Sequence, residues 1–317
     1  MKLNKTLGLT GLIILFIFSC KLIENITNSI ASNSIESNTS SENDFGISGY
    51  YSPAEYVSEP SKRECYEGEL SEQTKMNVLE LVNYIRNLHG INPVIYAYDQ
   101  DVKVQKGALI MAANRSINHY PPEDWDCWSE EGYQSSNNSN IIGGVVATFT
   151  PANSIVSFLI DLDVPSVGHR KWILNPFMNS IAYGHVELDG VTGALLQVLN
   201  EDEQNTDVDF VAYPFNEYPA VFFDMNWRLS FIAIQNRETM INNLGIDYSS
   251  AVITVIAENG KSLDVSSVLS ENGEMGILNM MSWEVDDLEY GVKYDVTITG
   301  VKTDKGLTNY EYWFRIE

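Results

Sequence analysis

The spacing of apolar residues changes near residue 210, and this change is the strongest constraint on the fold. From Ser71 to Gly90 the large apolar side chains recur every three or four residues, as on one face of a helix. Beyond Tyr213 the chain becomes a series of β-rich runs, such as 251–258 and 294–301, with no comparable helical pattern. The sequence therefore predicts an α+β fold, with a mixed domain followed by an all-β sandwich.

Three helices are predicted in the first part. One begins after Ser71, a second runs from Asp99 to about residue 118, and a third begins at Thr150-Pro151. The second helix places His119 near its buried face. Two strands, 180–187 and 192–199, are joined through Asp189-Gly190, a dipeptide that favours tight hairpin turns. Between the second and third helices, residues 119–144 are predicted as a loop because prolines and a polar cluster interrupt any periodicity.

The amino terminus has the composition of an export signal. Two lysines precede a short apolar run at residues 12–18, which ends at Ser19-Cys20 and resembles a bacterial lipoprotein signal. That resemblance implies a signal peptide at 1–19, lipidation of Cys20, and a membrane-anchored protein of the bacterial cell envelope, exported to the outer surface or the periplasmic face. A transmembrane anchor is the alternative, although a spanning helix needs about 20 apolar residues. Residues 20–70 are predicted as a flexible tether and irregular arm, since 25–44 are rich in Asn and Ser.

Charge and cysteine content narrow the partners and the covalent structure. The chain carries 43 acidic and 19 basic residues, a net charge of −24, which disfavours nucleic acid by repulsion from its phosphates. With Cys20 lipidated, Cys65 and Cys127 remain as an even pair in an exported protein. They are expected to form a disulfide, with two separately buried thiols as the alternative.

Residues 166–176 carry the densest functional signal. His169 follows Gly168 and precedes Arg170, and imidazole is the side chain that binds metals or moves protons near neutral pH. A histidine in a structural turn is the alternative reading of this motif. His119 and Asp161 would add a second imidazole and a carboxylate from separate parts of the chain, and the combination is more specific than any one residue.

Taken together, these motifs resemble the CAP superfamily, which includes cysteine-rich secretory, antigen 5 and pathogenesis-related proteins. The resemblance covers about residues 71–200 and rests on three stretches: 83–93, 112–119 and 166–176. It implies an α-β-α sandwich, also called an SCP domain, with a groove that holds two histidines and two acids. In some members these residues bind a divalent metal such as zinc.

Carried onto this sequence, the resemblance gives a set of candidate site residues. His119 and His169 match the two histidines and are the candidate metal ligands, while Asp161 stands where members often have glutamate. Ser139 occupies the place of the other glutamate, so we expect weak metal binding or none. Glu130, Glu131 and Asp163 are nearby acids that could substitute. The predicted ligand groove comprises His119, Ser139, Asp161, His169 and Arg170, and the candidate catalytic residues are His119, Asp161 and His169.

The predicted domains are therefore a CAP domain at 71–210 and an immunoglobulin-like β-sandwich at 211–317. Residues 288–298 resemble the closing strands of bacterial immunoglobulin-like modules. The favoured function is a non-enzymatic envelope lipoprotein whose groove binds a small apolar or lipid ligand, or a host or cell-surface protein. A metal-dependent hydrolase using the two histidines is one alternative, although the chain lacks the Gly-x-Ser-x-Gly and His-Glu-x-x-His motifs. Surface adhesion or a structural role is the other.

Overall fold

The computed structural model describes residues 52–144, 149–200, 202–271 and 279–317. The predicted signal peptide at 1–19, Cys20 and the tether up to residue 51 lie outside this range. Among the helices of the described ranges, none is both long enough and apolar enough to cross a membrane.

The first domain has a four-stranded sheet with helices on both faces. Its helices are α1 (Glu72–Leu88), α2 (Asp101–Asn114), α3 (Glu130–Asn137), α4 (Pro151–Ile160) and α5 (Gly168–Ile173). Two short strands of the preceding arm, β1 (Tyr56–Ser58) and β2 (Glu69–Leu70), pair with each other. The sheet has the order β3-β5-β6-β4 and consists of β3 (Ile95–Tyr96), β4 (Ser139–Gly144), β5 (Ser180–Leu188) and β6 (Val191–Gln197).

Alternation along the central strands builds two separate cores, because successive side chains of a strand point to opposite faces. Tyr183 and Leu196 pack with the apolar residues of α1 and α4. Ala182 and Leu195 pack with those of α2 on the other face. These layers form the α-β-α sandwich implied by the resemblance.

Glycine lets α2 lie directly on the sheet. A Cβ at Gly184 would lie 2.4 Å from the Val104 carbonyl oxygen, and one at Gly193 would lie 2.5 Å from the Ala108 carbonyl oxygen. Real Cβ atoms do not approach backbone so closely, so these two strands need glycine where the helix crosses them.

Local capping signals predicted several elements well. Ser71 caps α1 by accepting a hydrogen bond from the Thr74 amide, and Thr150 caps α4 with Pro151 as the first helical residue. Asp189 and Gly190 both have positive φ, as the hairpin turn requires. The predictions of α1, α4 and this hairpin are confirmed.

Two predictions in the region of residues 99–144 were wrong. The second helix ends at Asn114 rather than near 118, because Arg115 adopts the left-handed conformation with φ of 51°. The segment predicted as a loop contains α3 and β4. Helix α3 escaped detection because its sequence is polar; it is capped by Ser129 and held against α2 by packing.

The second domain is a β-sandwich, as predicted. One sheet has the order β11-β10-β14-β15-β8 and the other has the order β12-β13-β9-β7. The strands are β7 (Phe210–Tyr213), β8 (Asn216–Tyr218), β9 (Leu229–Ala233), β10 (Val252–Ala257), β11 (Ser262–Leu263), β12 (Val265–Glu271), β13 (Met280–Val285), β14 (Lys293–Thr303) and β15 (Gly306–Ile316). Aromatic rings join the two sheets, with Phe231 of β9 lying 5.1 Å from Tyr310 of β15 between ring centroids.

The two domains share one hydrophobic core. Residues of α1, α4 and α5 pack continuously with those of β7, β9 and β13. His89 directly follows α1 and contacts the second domain through both ring nitrogens. Its Nδ1 is 2.7 Å from the Ala212 carbonyl oxygen, and its Nε2 is 3.1 Å from the Tyr218 hydroxyl. The predicted boundary at 210/211 falls within β7, at this shared interface.

Candidate functional site

His169 is fixed by the carboxylate of Asp161. Its Nδ1 lies 2.7 Å from Asp161 Oδ1, and its backbone amide donates to Asp161 Oδ2 at 2.9 Å. Because a carboxylate accepts, Nδ1 carries the proton in this contact and Nε2 is left as the functional ring nitrogen. The imidazole keeps 28% of its surface exposed, so Nε2 belongs to a side chain that a ligand can reach.

Asp161 is buried and contacts the Nδ1 side of the His169 ring. Its side chain is only 2% exposed, and both oxygens accept hydrogen bonds, from His169 and from the Arg170 amide. The residue ends α4 in the left-handed conformation with φ of 54°, and its carbonyl accepts a hydrogen bond from the Trp227 indole at 3.0 Å. Asp161 therefore orients the imidazole, and its carboxylate is not free to act as an independent base or ligand.

His119 is held in a matching way by a backbone carbonyl. Its Nδ1 donates to the Ser136 oxygen of α3 at 3.0 Å, which again leaves Nε2 free. Partial burial of the ring lowers the pKa of His119; the Ser136 contact opposes this shift, and the charge of His169 adds to it. The charge of His169 thus acts on His119, and Asp161 contacts His169 directly.

The residues around Ser139 play a different part from the one predicted. Ser139 is 4% exposed and its hydroxyl donates to the Ser135 carbonyl at 2.7 Å, so it does not line a groove. Its neighbour Asn140 donates to the His169 carbonyl at 3.0 Å and ties β4 to α5. Asn140 was missed as a site residue, although it directly follows Ser139, the residue at the place of the family's second glutamate.

Arg170 does not line the groove either, which corrects the prediction made from its place beside His169. It is completely buried, and its guanidinium donates to three carbonyl oxygens, those of Leu159, Ile160 and Arg228. It also lies 3.9 Å from the centroid of the Tyr213 ring. Arg170 therefore joins the two domains, because no ligand could reach a side chain enclosed in this way.

The donor set does not fit a zinc site. Catalytic zinc has about three protein ligands, whereas His119 and His169 offer two imidazole nitrogens and Asp161 is occupied. Two of the three acids considered as substitutes are engaged elsewhere, since Glu131 pairs with Lys106 and Glu130 accepts from Gln134. Within the described residues, no cluster of three or more His, Cys, Asp or Glu side chains has metal-binding geometry.

A disulfide between Cys65 and Cys127 is confirmed, with the Cα atoms 5.0 Å apart. It joins the arm before α1 to the segment between His119 and α3. Lys62 of the arm reinforces this connection by donating to the Ala113 carbonyl at 2.7 Å and pairing with Asp126 at 2.7 Å. The arm therefore restrains the segment that carries His119.

The remaining two of the four histidines are structural. His89 and His185 are 2% and 1% exposed, and burial lowers the pKa of His89 to about 3 and that of His185 to about 4. His185 lies 3.0 Å through Nε2 from the Phe149 carbonyl. Only His119 and His169 thus present an imidazole at the surface.

Comparison with known proteins gives one family. No curated protein matches the chain. Residues 79–199 match the model of the family described as CAP: Cysteine-rich secretory protein family. The match spans α2, α3, α4 and α5 as well as the sheet, and includes His119, Asp161 and His169, but it covers less than half of the 317 residues. The first domain of this chain is therefore a CAP domain.

Proposed function

We propose that the CAP domain binds a small amphiphilic ligand, with the imidazoles of His119 and His169 at its polar end. The proposal rests on the hydrogen bonds made by the ring nitrogens of the two histidines. Each has its Nδ1 tied to a protein oxygen, Asp161 for one and Ser136 for the other, which leaves both Nε2 atoms for a ligand. A neutral imidazole in this state accepts a hydrogen bond at Nε2.

The ligand head group follows from this acceptor chemistry. The pKa of His119 is lowered, so its ring is neutral near neutral pH and cannot donate through Nε2. A hydroxyl or an amine supplies the missing donor, whereas a carboxylate does not. We therefore expect a ligand with a hydroxyl or amine head.

Apolar side chains next to His119 suit the remainder of such a ligand. Ile117 and Tyr120 are 43% and 53% exposed and lie within two residues of His119. Burying such surface contributes about 25 cal/mol per Å². A polar acceptor flanked by exposed apolar groups favours an amphiphile over a fully polar solute.

The test is lipid retention by the purified protein. The protein is incubated with total cell lipids, washed and extracted, and the extract is analysed by mass spectrometry. We expect enrichment of one hydroxyl- or amine-headed lipid class, lost in the His119→Ala/His169→Ala double variant and reduced in Ile117→Ala. Ile241→Ala is the matched control, because Ile241 is 69% exposed in the second domain. Recovery of no enriched lipid, or equal recovery from the double variant, contradicts the proposal.

Hydrolysis is the second candidate, and the hydrogen bond between Asp161 and His169 favours it. A carboxylate that fixes the tautomer of a histidine prepares Nε2 to take a proton from a water or a substrate hydroxyl. A metal-dependent version is less well supported, because only two ring nitrogens are available as ligands. The test measures hydrolysis of ester and peptide substrates, and activity unchanged in His169→Ala rules this role out.

We further propose that the protein is anchored to the bacterial envelope through a lipid on Cys20, which lies outside the described residues. Cys20→Ala should release the protein from the membrane fraction, and mass spectrometry of the wild-type amino terminus should show acyl chains. Retention of the variant in that fraction contradicts lipid anchoring.

A protein-binding or adhesive role of the immunoglobulin-like domain remains the least supported proposal. Deletion of residues 213–317 would not test this role, because it would also expose the buried Arg170 and disrupt the core that the two domains share. Substitution of Val252, which is 61% exposed on β10, leaves the shared core intact and should reduce binding to host or cell-wall material if the sandwich is adhesive. Unchanged binding counts against adhesion.

A further inference from the structure

A cavity of about 860 Å³ lies in the CAP domain and is not lined by either histidine of the candidate site. It is formed where β3 and α2 begin, where β6 ends and along the last turn of α3. His119, Asp161 and His169 are absent from its lining. Its volume falls in the range of roughly 300–1,000 Å³ that is usual for small-molecule sites.

The lining of this cavity is rich in side-chain amides. Five of them come from three separate parts of the domain: Gln100, Gln134, Asn138, Gln197 and Asn200. Each amide carries both hydrogen-bond donors and an acceptor in one plane. Gln100, Gln197 and Asn200 each have both amide atoms engaged with other protein groups. Gln134 and Asn138 are therefore the amides open to a ligand, which must offer donors and acceptors in return.

Part of this amide set is held in place by the protein. Gln197 Nε2 donates to Asn200 Oδ1 at 2.9 Å, and the Lys103 ammonium donates to Gln100 Oε1 at 3.1 Å. Gln134 is exposed and donates to Glu130 through Nε2, which leaves its carbonyl oxygen for a ligand. Within the described ranges, the Asn138 side chain makes no hydrogen bond with another protein group. Fixed and free amides thus occur together in the same cavity.

Two tyrosines complete the lining, the buried Tyr96 and the exposed Tyr98. Tyr98 is 51% exposed, yet its ring is fixed by a hydrogen bond from its hydroxyl to Glu72 at 2.5 Å and by the Tyr96 ring, whose centroid is 4.9 Å away. An exposed aromatic face that is already ordered can stack on an apolar ligand face with little further loss of entropy.

Charge in the cavity selects against anionic ligands. The lining holds one cationic side chain, Lys103, and two carboxylates, Asp99 and Asp202, which gives a net charge of −1. The Asp202 carboxylate accepts from Asn179 at 2.5 Å and from Ser180 at 3.2 Å, and it is therefore already engaged. A lipid tail is also disfavoured, because it would strip water from the Gln134 carbonyl and the Asn138 amide.

We propose that this cavity binds a neutral oligosaccharide. Adjacent hydroxyl groups of a sugar present donors and acceptors at the spacing of a planar amide, and the C–H face of a pyranose ring is the apolar surface that stacks on tyrosine. Amides, one exposed and fixed aromatic ring and a small net charge are the three features that suit this chemistry. The cavity is a site separate from the imidazole pair, and the proposal does not depend on the ligand bound there.

The experiment is calorimetric titration of the full-length protein with three neutral trisaccharides: cellotriose, maltotriose and triacetylchitotriose. We expect saturable binding of at least one. Tyr98→Ala and Gln134→Ala should each weaken that binding by about three- to tenfold, the usual effect of one stacking contact or one hydrogen bond.

Two matched substitutions serve as controls. Tyr290 is 62% exposed in the second domain, and Gln73 is an exposed amide of α1 that donates to Asn77 at 2.7 Å, much as Gln134 donates to Glu130. Tyr290→Ala and Gln73→Ala should bind the sugar like the wild type. Absence of binding to all three trisaccharides, or affinity that is equal in the cavity and control variants, overturns the proposal. The proposal is also overturned if a neutral peptide displaces the bound trisaccharide and no other sugar does.

Discussion

Replacement of Arg170 by methionine should destabilise the whole protein. The change keeps most of the side-chain volume but removes a guanidinium that donates to the carbonyls of Leu159, Ile160 and Arg228 at 2.6–2.8 Å. The variant leaves these buried acceptors without a donor, and it also loses the cationic contact with the Tyr213 ring. Each orphaned acceptor costs about 1–3 kcal/mol, although such losses do not add fully within one network.

We therefore expect Arg170→Met to lower the free energy of unfolding by about 3–5 kcal/mol. That loss is a large fraction of the roughly 5–15 kcal/mol by which a folded domain is stable. Urea denaturation followed by tryptophan fluorescence measures it, since Trp227 lies near this interface and donates to the Asp161 carbonyl. Arg170→Lys should fall between the variant and the wild type, because an ammonium retains the charge but not the planar fork.

Arg237→Met is the matched control for this experiment. Arg237 is a half-exposed arginine that pairs with Asp209 at 2.7 Å, and exposed pairs contribute about 0–1 kcal/mol. A loss below about 1 kcal/mol in Arg170→Met, equal to that of the control, would refute the assignment of Arg170 to the buried domain interface.

Three further predictions concern stability. The double variant Cys65→Ser/Cys127→Ser should lose up to about 4 kcal/mol, from the entropy of a loop of this length, in the same urea assay under oxidising conditions; equal stability of the variant would contradict this. The pKa values of His89 and His185 are lowered on folding, so the unfolded chain binds protons first below about pH 6.5. The free energy of unfolding should therefore decrease as the pH is lowered from 6.5 to 4, by at most about 1.4 kcal/mol per pH unit for each histidine. His185→Gln should make this decrease less steep, and an unchanged slope in the variant would count against the prediction. Gly184→Ala should lower the melting temperature by about 5 °C or more, because the new methyl group meets the α2 backbone; an unchanged melting temperature would show that the helix can move away.

Elements defined by local chemistry were predictable from the sequence. The cap at Ser71, the Thr150-Pro151 start and the Asp189-Gly190 turn act over a few residues, and the structure has all three. The end of α2 was not predictable in the same way. Arg115 is compatible with a helical sequence pattern, but its backbone adopts the left-handed conformation. Glycine and asparagine are the residues that usually indicate such a helix end, and Arg115 is neither.

The contact between Asp161 and His169 joins two residues that the family resemblance singled out, but the orientation of their neighbours was not predictable. His119, Asp161 and His169 followed from the family resemblance, whereas the roles of Ser139 and Arg170 depend on burial. Burial depends on residues far along the chain. The Arg228 carbonyl, which accepts a hydrogen bond from Arg170, is 58 residues away in the sequence. No pattern within residues 166–176 distinguishes an arginine that faces a ligand from one that faces a second domain.

The amide-rich cavity gave no signal in the sequence. Gln100 and Gln197 are 97 residues apart and become neighbours only through the order of the sheet. Isolated glutamines and asparagines are ordinary surface residues, so their chemistry becomes specific only when the fold collects them.

The most direct test of the proposed function is a ¹⁵N NMR titration of the histidine side chains with a short-chain alcohol that carries one hydroxyl head. Binding at the imidazole pair predicts that the Nε2 resonances of His119 and His169 shift together and saturate, while those of buried His89 and His185 stay unchanged. Saturable binding of the alcohol without any shift at His119 and His169 would contradict the proposal.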